Sequence, residues 1–191
     1  MENNMQRYSR HGLWSLFLMC AFPLHLWTLI MGFRDVSWVA ARTNAWDAIG
    51  VFSYGMLSAF VESFLFFLVM TLLGFLLPWQ WSIDKRIGSL SLLALIVSLW
   101  AVTSQLLFLW NVGLPVGAID FLRNSGHPLR ILYAICLGVV TGTVLLPVYL
   151  FLRDKNAVAI MQNLLERISL LTVFYLCFDL LGVIIVLIRN I

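Results

Sequence analysis

The stretch from 168 to 188, ISLLTVFYLCFDLLGVIIVLI, decides the fold. Its 21 residues carry one charge, Asp179. At 1.5 Å per residue, a helix of that length covers the ~30 Å hydrocarbon core of a bilayer. The apolarity is continuous rather than alternating, so the segment does not read as a strand of a membrane barrel. Four further stretches upstream share the pattern: 13–33, 48–77, 87–110 and 131–152. Among these four, Glu62 is the only charged residue. The rest of the chain's twelve Lys/Arg and nine Asp/Glu crowd into the connections. A bilayer imposes that partition, because a charge at mid-depth costs at least ~2.5–3.5 kcal/mol.

The predicted fold is all-α: a polytopic bundle of five transmembrane helices forming a single transmembrane domain over 1–191. Apolar residues make up 62% of the chain, against about 45–50% for a soluble domain. A soluble domain, a nucleic-acid binder and a disulfide scaffold are excluded: the net charge of +3 has no basic run behind it, and Cys20, Cys136 and Cys177 lie inside apolar stretches. Arg7 and Arg10 precede the first stretch, but its length exceeds that of a secretory signal and no small-x-small site follows it. It reads as a retained signal anchor.

Five crossings put the termini on opposite faces. Arg7, Arg10, Lys85, Arg86, Arg153, Lys155 and Arg167 fall on the face of the N-terminus, whereas Arg34, Arg42, Arg123, Arg130 and Arg189 fall on the other. The excess predicts a plasma (inner) membrane protein with its N-terminus inside and its C-terminus outside. In the connection 34–47, Val36, Val39, Ala40, Trp38 and Trp46 suggest a short interfacial helix. The connection 111–130, broken by Gly113, Pro115, Gly117, Gly126 and Pro128, reads as a loop. Before the last crossing, Ala157, Ile160, Met161, Leu164, Leu165 and Ile168 recur at three-four spacing. That pattern predicts an amphipathic interfacial helix on the inner surface, able to run on into the crossing because no Gly or Pro intervenes. Trp14, Trp27, Trp79, Trp81 and Trp110 fall near predicted segment ends, as a membrane belt does.

Small residues at four-residue spacing mark close helix contacts in lipid. Ala134, Gly138 and Gly142 form one such ladder, and Gly55, Ala59 and Ser63 another. Both are expected to face the bundle interior, with a homodimer face as the alternative for the GxxxG.

One constellation carries functional interest. Glu62 and Asp179 sit near the middle of their segments, and His25, Tyr175, Gln105 and Thr141 offer polar groups at similar depth. Each would be unsatisfied in hydrocarbon, so convergence on an internal cluster is expected. The cluster either glues the helices together or binds a small or lipidic ligand. No HExxH, GxSxG, P-loop, dinucleotide fingerprint or EF-hand occurs, and no Cys/His spacing fits a metal. Neither cofactor nor metal is expected. The chain therefore reads as a non-enzymatic multi-pass membrane protein. Its expected partners are the lipid bilayer, a small or lipidic ligand, or a membrane-protein partner, and no nucleic acid. The alternatives are an accessory subunit of a larger membrane complex, docking through the 134–142 ladder and the 111–130 loop, and an intramembrane acid-base enzyme acting on a lipid.

Overall fold

The computed structural model describes residues 8–191; Arg7, which enters the charge comparison, lies outside the described residues. These residues form six helices: α1 (Arg10–Arg42), α2 (Ala45–Leu73), α3 (Ile83–Leu109), α4 (Val116–Asn124), α5 (Pro128–Arg153) and α6 (Lys155–Asn190). Five of them are long and apolar enough to cross a membrane; α4 is the exception. The chain is compatible with a multi-pass membrane protein.

Two boundaries differ from the sequence reading, and each has a local cause. From Phe33 to Arg42 there is neither glycine nor proline, so α1 continues through the residues expected to form a separate interfacial helix. The connection to α2 is then only Thr43 and Asn44. Asn44 caps α2, its side chain accepting from the Asp47 amide at 2.8 Å. In 111–130, expected as a loop, Pro115 opens the short helix α4 and Gly126, at φ +70°, turns the chain into α5. The stretch before the last crossing runs on into it, as the absence of Gly and Pro allowed: α6 is unbroken from Lys155 to Asn190. Its apolar stripe does not all face outward. Met161 and Leu165 are buried with Leu16, Ile87 and Phe151, while Ile160 and Leu164 remain exposed.

Helix α1 is central, packed against α2, α3 and α6. Between Leu16 and Ala21 it is buried on every side. The main core lies near one end of the bundle, where Leu16, Met19 and Cys20 of α1 meet Ile87, Leu90 and Ala94 of α3 and Met161 and Leu165 of α6. Gly88 lets α5 close on this core, since a Cβ there would stand 2.8 Å from the Phe151 ring. At the other end, Arg189 ties the tail of α6 to the start of α2: it donates to Asp47 Oδ1 at 2.9 Å and to the Trp46 carbonyl at 2.6 Å.

Helix α5 is peripheral. It leans on α3 and α6, and Phe151 is its only buried residue. A cross-link at mid-length comes from Trp100 Nε1, which donates to Thr143 Oγ1 at 2.9 Å. Both α1 and α6 exceed the hydrocarbon thickness: 33 and 36 residues span roughly 50 Å and 54 Å.

Candidate functional site

On α1, Leu18, Ala21, His25 and Leu29 are buried at three-four spacing, a stripe that faces α2 and α6. On α6 the matching stripe is Leu165, Thr172, Asp179 and Gly182. Gly182 allows the approach, because a Cβ at that position would lie 3.3 Å from the Ser53 carbonyl of α2. The close approach brings Asp179, one turn earlier, onto His25.

His25 Nε2 lies 2.8 Å from Asp179 Oδ2. Both groups are sealed in: His25 has no exposed surface and Asp179 only 6%. The second ring nitrogen, Nδ1, sits 2.8 Å from the Ala21 carbonyl oxygen, one turn back along α1. Helix α2 contributes Ser63, whose hydroxyl donates to the Ala59 carbonyl at 2.6 Å and whose Oγ stands 3.4 Å from Nδ1. Thr172, fully buried two turns before Asp179, turns its hydroxyl back to the Ile168 carbonyl and is satisfied locally. The ring of Tyr175 stacks on Phe22 at 6.2 Å, flanking the pair from the α1–α6 seam. One atom is left over: Asp179 Oδ1 is buried with no hydrogen-bond partner among the described residues.

The other polar residues singled out in the sequence lie elsewhere. Glu62 follows Val61 and precedes Ser63, so a helical step of about 100° separates it from the face that touches His25. Its side chain is exposed to a groove, and the hydroxyl of Ser58 donates to it at 3.3 Å. Two cavities meet there. One, of about 280 Å³, runs between α1 and α2 past Gly55 and Ala59 toward Asp35. The other, of about 230 Å³, opens between α1, α2 and α3, with Gln105, Ser98, Phe66 and Pro23 on its walls. Glu62 and Trp27 line both. The walls of the second cavity are largely apolar, with Glu62, Ser98 and Gln105 as the polar side chains besides the Trp27 indole.

Thr141 is exposed on α5, and so are Ala134, Gly138 and Gly142; a Cβ at Gly138 or Gly142 would meet nothing within 4 Å. That ladder faces away from the bundle interior, because α5 reaches the core only near Phe151. The small residues of α2 do the opposite: Ala59 and Ser63 are buried, and Gly55 approaches Thr28 of α1. The polar groups expected to converge are thus divided among a sealed pair at His25–Asp179, a groove at Glu62–Gln105 and an outward face on α5. Trp27 was expected at a membrane boundary, but extension of α1 to Arg42 places it near the middle of its helix, beside Glu62. Its place in the groove had no signal in the sequence beyond its lying two residues after His25.

Among the described residues no group of three or more His, Cys, Asp or Glu side chains is placed to hold a metal ion. The chain matches no protein-family model, no curated protein and no solved structure.

Proposed function

We propose that this chain is a non-enzymatic membrane protein that takes a lipidic ligand in the groove around Glu62. One observation carries the reading: a carboxylate near mid-helix forms a shared wall of two largely apolar cavities, with a single hydroxyl as its partner among the described residues. An unpaired acid at that depth is costly in hydrocarbon, and a ligand bearing a hydrogen-bond donor would offset the cost. The class that fits is a long-chain amine or alcohol. Its tail would lie along Phe66, Val97 and Val102, and its donor would meet Glu62 with Gln105 beside it.

In this reading the protein sits in the plasma (inner) membrane with its N-terminus inside. The start of α6, with Glu166 and Arg167 turned outward, lies in the inner headgroup layer as an amphipathic extension of the last crossing. The test is photolabelling in native membranes with a photoactivatable long-chain amine. Labelling that maps to α1–α3 and falls at least about tenfold in Glu62→Gln, a loss of about 1.4 kcal/mol, supports the groove. Labelling spread over all lipid-facing helices and unchanged in Glu62→Gln overturns it.

A second reading, an accessory subunit, is favoured by the outward face of α5. Gly138 and Gly142 offer close backbone approach to a neighbouring helix in lipid. A stoichiometric protein partner that co-purifies with the chain and is lost in Gly138→Val/Gly142→Val would support it.

A further inference from the structure

A carbonyl oxygen only accepts hydrogen bonds, so the 2.8 Å contact between His25 Nδ1 and the Ala21 oxygen requires a hydrogen on Nδ1. Ser63 does not change this. Its own hydrogen is committed to the Ala59 carbonyl, which leaves Oγ to offer Nδ1 a lone pair only. The second nitrogen is then constrained in turn. Nε2 and Asp179 Oδ2 are 2.8 Å apart, a distance at which two bare lone pairs repel, so one hydrogen lies between them. Carried by Nε2, it makes an imidazolium facing a carboxylate. Carried by Oδ2, it makes an imidazole facing a carboxylic acid. Both arrangements hold the same number of protons, and both have zero net charge.

We propose that the His25–Asp179 pair is a proton-binding site, in which one proton is shared across the α1–α6 seam and keeps the pair neutral. The proton is the ligand, and the site is separate from the Glu62 groove. The surroundings call for that neutrality. From α1 the seam presents Ala21 and Leu18, with Cys20 turned into the main core; from α2 it presents Ser63, while Glu62 faces the groove; from α6 it presents Thr172 and Tyr175. From α3, which packs on α1, the buried polar residues are Ser89, Ser91 and Ser98, and the cation Arg86 lies in its first turn. Of the cations on α6 itself, Arg189 is ten residues from Asp179, about 15 Å along the helix, and is engaged by Asp47, while Arg167 is twelve residues back, about 18 Å, and exposed, with Lys155 farther still. With no cation among the described residues against it, a lone carboxylate here would keep its full desolvation cost, and its orphaned Oδ1 would add to that. The shared hydrogen also joins two helices that are 154 positions apart in sequence, so opening this seam and releasing the proton are coupled.

The test uses the full chain in phosphatidylcholine nanodiscs at neutral pH, with His11→Asn and His127→Asn leaving His25 as the only imidazole. Nitrogen-15 NMR of labelled histidine reads both ring nitrogens, and infrared difference spectra against Asp179→Asn read the carboxyl. The expected result is a protonated Nδ1 together with one of two signals for the shared proton. Those signals are a protonated Nε2, or an acid carbonyl band lost in Asp179→Asn. A bare Nδ1 with hydrogen on Nε2 alone and no acid band would mean a singly charged pair, and would overturn the proposal. Should Asp179→Asn fail to fold, the carbon-13 shift of the Asp179 carboxyl in the parent chain distinguishes the same outcomes.

Discussion

Asp179 and Glu62 are two carboxyl groups at a similar level along the bundle, and the molecule treats them in opposite ways. Ser63, the residue after Glu62, reaches toward His25, so the sealed seam and the open groove are separated by one helical step on α2. In the seam the acid is matched to a base and closed off by Gly182 and Ala21. In the groove the acid faces cavities and has one hydroxyl for company. The contrast teaches that neighbouring positions on one helix can turn one polar side chain into a sealed seam and leave the next, an acid, facing open cavities.

The strongest way to break this comparison is to remove one member of the sealed pair. His25→Ala or Asp179→Ala strands its partner in the seam and should cost about 3–5 kcal/mol, read by thermal unfolding in nanodiscs. The double change His25→Leu/Asp179→Leu should recover most of that loss, since it leaves nothing unpaired. If the single changes proved harmless, the seam would be no more demanding than the groove.

The next effect tests whether close approach matters in the seam and not at the periphery. Gly182→Val forces side-chain atoms onto the Ser53 carbonyl and should destabilise by about 1–3 kcal/mol. Gly142→Val, where a Cβ meets nothing, should stay within about 0.5 kcal/mol by the same assay. Smaller than the loss at Gly182 is that of Ser63→Ala, which removes one hydroxyl beside His25 at a cost of about 1 kcal/mol. The least effect on stability, under about 0.5 kcal/mol, is expected for Glu62→Gln, because its side chain is exposed. A large loss of stability there would make Glu62 part of the packing and erase the distinction between the two sites.

Much of the fold was legible because lipid leaves little choice. Five apolar stretches of spanning length have to be helices, and their extents differ from the folded helices mainly where a break was assumed without a breaker. Phe33 to Arg42 is the clearest case: its charges were read as the end of a crossing, yet nothing in it stops a helix. The site was less legible. The residue types His25, Asp179, Glu62 and Gln105 could be picked out as polar groups in apolar segments, but their grouping could not. Helix α5 shows why in another form, since a ladder of Ala134, Gly138 and Gly142 carries the same pattern whether it faces a neighbour in the chain or the membrane.

The sequence by itself determined that this chain is helical and suited to a membrane, and that it holds two acids and a histidine inside its apolar segments, because the cost of charge in hydrocarbon is written into composition. Only the tertiary structure decided that Asp179 meets His25 while Glu62 faces a groove with Trp27. In water a helix declares its inner face by being apolar on one side and polar on the other. In lipid both sides are apolar, so the rotation of each helix is set by packing against its neighbours: the close approach at Gly182, the burial of Ala59 and Ser63, and the distance α5 keeps from the core.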